Sequence, residues 1–255
     1  MALPYPPRSQ GARRFLKTGD WPYGEEGAVE MNQVQSDALD EVLVARAAMY
    51  GLLQRVFSDV PDRALAENES CEVMDQCFEV LGEAWGLRDC RTCKVGEGAG
   101  PKVPEQDIDA VPLTLEGEYN RLFVGVGKPA VCMWESIYAT GINALFQPNT
   151  LEVRNVYLRN GFKPLGMGKV ADDHMAIELA FMRELALETT RAGEAQRASL
   201  LTEQRLFLEE HLLRWVDAFA ERVVEHDRSG YYRDYARLLA DFVDKDAAFL
   251  PGASA

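Results

Sequence analysis

Apolar residues in this sequence recur at steps of three and four over long segments, and no segment alternates strictly between apolar and polar residues as a half-buried strand would. The most regular helical pattern begins at Asp173, which is predicted to cap it, and runs to about Thr190. Its inward stripe consists of His174, Ile177, Glu178, Phe181 and Leu185. Val and Ile do not cluster between turn signals, so no segment has the composition of a β-strand. The sequence therefore predicts an all-α fold.

The predicted helices follow one another along most of the chain. They cover residues 36–58, 62–87, 114–123, 135–146, 150–160, 173–190, 194–226 and 231–243. Gly161 stands where a left-handed residue would end the fifth helix, and the seventh is long enough to be bent or split. No repeat of fixed period is present, which argues against a helical solenoid.

Composition divides the chain into a tail and a helical domain. Residues 1–35 are rich in Pro, Gly and charge and are predicted to be a mobile tail, followed by an all-helical domain over residues 36–250. Residues 88–112 lack periodicity and are predicted to be a long loop insert. The Arg13-Arg14 pair resembles an export signal, but the apolar region that such a signal needs does not follow it.

Charge and cysteine content narrow the range of partners. The chain has 27 Lys and Arg against 41 Asp and Glu, a formal net charge of −14. Nucleic acid and stable membrane insertion are therefore not expected, whereas a cationic ligand is favoured. Five cysteines without a secretory signal predict reduced thiols in the cytoplasm. The Cys90–Cys93 pair lacks the further ligands of a zinc site, so no metal or other cofactor is predicted.

Catalytic motifs for nucleotide binding, nucleophilic attack or zinc chemistry are absent from the sequence, so an enzyme is not predicted. The cluster Asp172-Asp173-His174 with Glu178 resembles the ligands of helical metal-dependent hydrolases, although such sites need ligands from several helices. This hydrolase is the alternative from another functional class. A structural interpretation, in which His174 is a core histidine bonded to Glu178, is equally open.

A second constellation joins Glu118–Phe123 and Trp134–Tyr138 around the loop Gly125–Pro129. One interpretation is structural, because Tyr119 and Phe123 would face the core and acidic residues suit a helix start. Helix packing alone does not explain why aromatic and acidic side chains crowd about this loop. Their combination predicts an apolar groove with a rim of carboxylates.

Six motifs, in order, resemble the TorD/DmsD/NarJ-type redox-enzyme maturation chaperones over residues 38–243. They are Ala45–Leu53, Glu118–Gly125, Glu135–Tyr138, Asp173-His174 with Glu178-Leu179 and Phe181-Met182, Glu210–Trp215 before Phe219, and Tyr231-Tyr232. Two departures concern Asp172, where members of that family often carry Pro, and Val131–Trp134, which replaces a simpler lead with Pro.

The resemblance implies a single multi-helix bundle that acts as a cytoplasmic chaperone. Such a protein binds the N-terminal signal peptide, often a twin-arginine one, of a molybdopterin oxidoreductase catalytic subunit, and it holds the apo enzyme back until its cofactor is inserted. A client without an export signal is a further alternative. The sequence leaves open whether the chaperone is a monomer or a domain-swapped dimer.

The predicted groove and the resemblance together define a candidate peptide-binding site. Its apolar lining is assigned to Tyr119, Phe123, Trp134 and Tyr138. The candidate partners of the peptide arginines are Glu135 and Asp173. The floor is assigned to His174 and Glu178, and Ser136 completes the set.

Overall fold

The structure is a computed structural model, and it describes residues 25–61, 70–87, 114–125, 128–165, 167 and 169–251. Its internal contacts divide the chain into two units, Met1–Ala38 and Leu39–Ala255. The described part of the first unit is the beginning of the first helix, and every other element belongs to the second unit. The first 24 residues of the predicted tail and the whole predicted loop insert lie outside the described residues.

Nine α-helices, one π-helix and one 3-10 helix occur among the described residues, and no sheet forms among them. The α-helices are α1 (Glu25–Ser58), α2 (Ser70–Trp85), α3 (Leu115–Tyr119), α4 (Glu135–Thr140), α5 (Pro148–Arg159), α6 (Met175–Arg191), α7 (Glu194–Glu210), α8 (Val216–His226) and α9 (Tyr231–Phe249). The π-helix covers Asn120–Val124 and the 3-10 helix covers Leu212–Arg214. The prediction of an all-α fold is confirmed. No helix in the described part of the chain has the length and apolar character needed to cross a membrane.

Several helix ends differ from the predicted ones. Helix α1 begins at Glu25 rather than at residue 36, because the intervening segment consists largely of good helix formers. Helix α4 stops at Thr140 instead of continuing to Phe146, because Gly141 adopts a left-handed conformation with φ of 69°. Helix α5 starts at Pro148, where a missing backbone N–H is harmless.

The long predicted helix over residues 194–226 is split at His211. This residue has φ of −126° and ψ of −86°, which no helix can accommodate. The 3-10 turn that follows allows Leu212 and Trp215 to reach the core together, with 0% and 1% of their surface exposed. Helices α6 and α7 pack on each other before the break, and α8 and α9 do so after it.

A buried ion pair joins the first and last helices of the second unit. The Arg46 guanidinium donates two hydrogen bonds to the Asp246 carboxylate, the Nη2 bond at 2.9 Å, and it also donates to Gln204 Oε1 at 2.8 Å. The Tyr50 hydroxyl donates to Asp246 Oδ2 at 2.6 Å, and Gln204 Nε2 donates to Thr189 Oγ1 at 2.8 Å. Helices α1, α6, α7 and α9 are therefore held by one polar network.

Replacing Asp246 by Ala is expected to lower the free energy of unfolding by about 3–5 kcal/mol, because it leaves the fully buried Arg46 without its counter-charge. Urea denaturation followed by circular dichroism measures this change. The matched double variant Arg46→Met with Asp246→Leu removes both charges and is expected to stay within about 2 kcal/mol of the parent. An Asp246→Ala protein as stable as the parent would contradict the role of the pair.

Candidate functional site

Two segments distant in sequence meet at the start of α4. The Glu135 N–H donates to the Asp173 carbonyl oxygen at 2.9 Å, and the Met175 N–H donates to the Met133 carbonyl oxygen at 2.9 Å. These two bonds form an isolated antiparallel bridge between Trp134 and His174. The aromatic rings of these residues also contact each other edge-on, with centroids 5.2 Å apart. The two predicted motifs are thus brought together.

Asp173 joins α4 and α5 and does not cap α6. One carboxylate oxygen accepts from the Ser136 N–H at 2.9 Å, and the other accepts from Thr150 Oγ1 at 2.9 Å. The predicted cap of α6 was therefore wrong, because the Asp173 side chain satisfies a free amide in the first turn of α4 instead. With 0% of its surface exposed, Asp173 is an internal clamp.

His174 takes the capping role that the sequence assigned to its neighbour. Its Nδ1 accepts from the Ala176 N–H at 3.2 Å, so the first turn of α6 is closed by the imidazole ring. Burial lowers the pKa of His174 to about 4, and the nearby Asp173 carboxylate opposes this shift only in part. The ring is therefore neutral near pH 7, as accepting a backbone hydrogen bond requires.

Glu135 and Glu178 lie behind α4 in a buried polar cluster. His211 Nδ1 is 3.1 Å from Glu135 Oε2, so the break after α7 is held against the start of α4. Trp215 Nε1 donates to Glu178 Oε2 at 3.2 Å. Burial, followed by the negative charges of Glu135 and Asp173, raises the pKa of Glu178 well above its usual range. Glu178 is a structural carboxyl group rather than an exposed anion.

The Asp172-Asp173-His174 cluster does not converge on one point. Asp172 pairs with Arg154 at 2.5 Å, while its neighbours Asp173 and His174 bond to α4, α5 and α6 as described above. Among the residues that the structure describes, no three His, Cys, Asp or Glu side chains are arranged to hold a metal ion. The geometry therefore does not favour the hydrolase alternative.

The predicted aromatic lining lies mostly in the core. Tyr119 and Phe123 contact each other with centroids 5.2 Å apart, and Phe123 also contacts Tyr232 at 5.3 Å. Tyr138 is half-buried, with its ring 5.3 Å from that of Trp215 and its hydroxyl donating to a backbone carbonyl at 2.8 Å. Tyr119 and Tyr138 line neither of the two cavities described next.

Two adjoining surface cavities form a groove beside α4. The larger has a volume of about 620 Å³ and the smaller about 350 Å³, and both are lined by Val124 and Lys128. The remaining lining of the larger cavity is Gly117, Asn120, Arg121, Gly125 and Ala130. The remaining lining of the smaller cavity is Phe123, Pro129, Cys132, Trp134, Ile137, Asn143 and Leu145. The large apolar side chains Phe123, Trp134, Ile137 and Leu145 line the smaller cavity.

The π-helix forms one wall of this groove. Its wide turn is closed by a bond from the Gly125 N–H to the Asn120 carbonyl oxygen, and it buries Phe123 while leaving Val124 exposed. Gly125 then turns the chain with φ of 66°, and a Cβ atom there would lie 2.8 Å from the Pro129 nitrogen. Only glycine fits this turn.

Another part of the lining comes from the loop between α4 and α5, which the Gln147 side chain holds in place. Gln147 Nε2 donates to the carbonyl oxygens of Ala144 at 2.7 Å and Ile142 at 3.1 Å. Its Oε1 accepts from Thr140 Oγ1 at 2.8 Å. The lining residue Leu145 is therefore carried by an ordered loop.

Of the nine predicted site residues, Phe123 and Trp134 line the groove. Five others support α4 and α6: Glu135, Ser136, Asp173 and Glu178 are buried, and His174 is partly buried. The predicted carboxylates do not form a rim, because they are buried and bonded inside the protein. Sequence reasoning missed Asn143 and Leu145 because it continued α4 to Phe146, although Gly141 was a signal for an earlier end.

Comparison with known proteins identifies the family. The chain matches the family described as nitrate reductase delta subunit over residues 101–221. The Chaperone protein TorD of Vibrio cholerae (El Tor Inaba strain) is 31% identical over 203 residues, which cover 79% of this chain and 90% of that relative. The Chaperone protein TorD of Vibrio vulnificus is 27% identical over 210 residues, 81% of this chain and 95% of that relative. The chain belongs to the TorD family of chaperones.

Other TorD relatives match over a shorter stretch. The protein of the Classical Ogawa strain of Vibrio cholerae is 30% identical over 142 residues, 55% of this chain and 64% of that relative. The chain thus spans less than two thirds of the length of this TorD relative. The family inferred from the sequence motifs is confirmed, and these TorD relatives are chaperones rather than enzymes.

Replacing Asp173 by Ala is expected to lower the free energy of unfolding by about 2–4 kcal/mol, because the Ser136 amide and the Thr150 hydroxyl both lose a buried acceptor. Asp173→Asn keeps one acceptor oxygen and is expected to lose about half as much. Urea denaturation of the three proteins tests this order. Equal stability of Asp173→Ala and the parent would show that the clamp has no structural role.

Replacing Glu178 by Gln is expected to stabilise the protein increasingly as the pH rises above 4.5, the ordinary pKa of a glutamate. Above that pH the unfolded chain loses the Glu178 proton while the folded chain keeps it, so the parent loses up to about 1.4 kcal/mol per pH unit. The difference between the two unfolding free energies, measured from pH 5 to pH 8, should therefore grow. Glu184→Gln, at an exposed position of α6, is the matched control. If the difference in unfolding free energy between the parent and Glu178→Gln stays constant over this pH range, the raised pKa of Glu178 is refuted.

Proposed function

We propose that this TorD family member assists the maturation of a molybdopterin oxidoreductase, and that its groove binds the apolar segment of the client's N-terminal signal peptide. The observation that carries the proposal is the apolar cavity beside α4, which contains Phe123, Trp134, Ile137 and Leu145. A chaperone of this kind would hold the apo catalytic subunit until its cofactor is inserted. The twin-arginine type of signal is the expected ligand.

Apolar surface around the cavity supports this proposal. Val124 is 56% exposed and Leu145 is 43% exposed, and the neighbouring Ile142 and Phe146 are 59% and 55% exposed. Contiguous exposed apolar side chains of this kind mark binding surfaces in soluble proteins. Burying one peptide side chain there contributes about 2 kcal/mol, so a few such contacts are enough for micromolar binding after association costs.

The walls of the groove are ordered before any peptide arrives. The Gly125 turn holds one wall and the Gln147 hydrogen bonds hold the other. A preformed groove does not have to lose conformational entropy on binding, which favours affinity. This agrees with a chaperone that recognises a short extended or helical segment.

The buried polar residues serve the groove indirectly. Asp173 and Glu135 hold the start of α4, and α4 carries the lining residue Ile137. We therefore expect variants of Asp173, His174 or Glu178 to weaken peptide binding by displacing α4 rather than by removing a contact. Of the predicted site residues, Trp134 would touch the peptide, since it is partly exposed in the lining and Phe123 is only 4% exposed.

The first test measures peptide affinity by isothermal titration with a synthetic peptide of two arginines followed by an apolar segment. Leu145→Asn is expected to weaken binding about tenfold or more, since it places a polar amide in the apolar cavity. Its stability should change little because the side chain is 43% exposed in the free protein.

Leu158→Asn is the matched control, because Leu158 is 46% exposed on α5 and lines neither cavity. This variant is expected to bind the peptide as the parent does. Equal weakening by both variants would show that the effect is not local to the groove. Failure of the parent protein to bind the peptide at all would overturn the proposed function.

A further inference from the structure

Val124 and Lys128 lie between the two cavities of the groove. Each of them belongs to the lining of both cavities, and no other residue in the described part of the chain does. The larger cavity, of about 620 Å³, lies on one side of them, and the smaller one, of about 350 Å³, lies on the other. A peptide side chain that extends from the smaller cavity toward the larger one therefore meets Val124 or Lys128.

The backbone that carries Val124 is held on both sides. Two residues before it, the Leu122 carbonyl oxygen accepts from the Val131 N–H at 2.9 Å. Directly after it, Gly125 lies so close to the following turn that a Cβ atom would be 2.8 Å from the Pro129 nitrogen. Because neighbouring segments hold both sides, the backbone cannot shift far enough to move Val124 away from a ligand.

The two side chains between the cavities differ in stiffness. Val124 is branched at Cβ, which leaves its side chain one strongly preferred rotamer in a helix, and 56% of its surface is exposed. Lys128 is also exposed, but its ammonium group is carried on a flexible four-carbon stem. A bound peptide can therefore push Lys128 aside, whereas Val124 is a fixed apolar wall.

Resting on the proposed function, we propose that Val124 limits the size of the apolar side chains that the groove accepts from a signal peptide. The fixed isopropyl group excludes side chains that reach from the smaller cavity into the larger one, because forcing a larger group against a packed wall causes strain. Aliphatic segments are therefore bound in preference to aromatic ones. Val124→Ala removes two methyl groups and connects the cavities, whereas Val124→Phe separates them further.

The test uses isothermal titration with two peptides that both have two arginines followed by an apolar segment. The segment consists of leucine and alanine in the first peptide, and every leucine is replaced by phenylalanine in the second. The parent is expected to bind the leucine peptide more tightly. Val124→Ala should shift the ratio of the two affinities about tenfold toward the phenylalanine peptide, because two methyl groups in an apolar pocket contribute about that much. Val124→Phe should shift it the other way.

Two control variants separate a size limit from a general effect on the groove. Lys128→Ala changes the other residue shared by both cavities and is expected to leave the ratio within about twofold of the parent, because its flexible stem already yields to the peptide. Val44→Ala, at a residue of α1 that is 43% exposed and outside both linings, should leave the ratio unchanged.

Two kinds of result overturn the size limit while the proposed function stands. One is a ratio that neither Val124 variant changes, or that already favours the phenylalanine peptide in the parent. The other is an equal shift of the ratio by Lys128→Ala or Val44→Ala. Absence of binding of either peptide to the parent overturns the proposed function instead, and the size limit fails with it.

Discussion

The buried Arg46–Asp246 pair is the constraint on which the second unit depends, because a guanidinium in an apolar interior must keep its counter-charge. The two residues are 200 positions apart, so helices α1 and α9 must be adjacent for the pair to form. Gln204 and Thr189 extend the network to α7 and α6. The start of α6 then presents the segment that contains Asp173. The buried pair is thus connected, through hydrogen bonds on four helices, to the helix that follows Asp173.

Several acidic residues of this protein have a structural role inside it: Asp173 accepts from the first turn of α4, and Glu178 accepts from Trp215. The lining of the groove, by contrast, contains Arg121 and Lys128 and no acidic side chain among the described residues. An overall negative charge is therefore a poor guide to the charge at a binding surface. Lys128 lines both cavities, whereas Arg121 is paired with Glu118 at 2.7 Å.

The all-α fold and most helices were predictable because apolar periodicity records which face is buried. Gly161 also has the left-handed conformation predicted for it. The site was harder to predict because its contacts are non-local. Asp173 followed the rule for a capping residue, but it caps α4, 37 residues earlier in the sequence. Tyr119 and Phe123 were predicted either to face the core or to line the groove, because no local pattern tells an aromatic core from an exposed lining, and both are buried.

The separation of Asp173 and its buried partners from the lining residues has an evolutionary consequence. Substitutions at exposed positions such as Val124, Leu145 or Lys128 can alter the surface that a peptide meets without breaking the internal hydrogen bonds of α4. Substitutions at Asp173 break the internal hydrogen bonds of α4 and thereby also alter the surface that a peptide meets. New client preferences can therefore arise by gradual change of a few surface side chains, while the clamp behind them keeps the same chemistry.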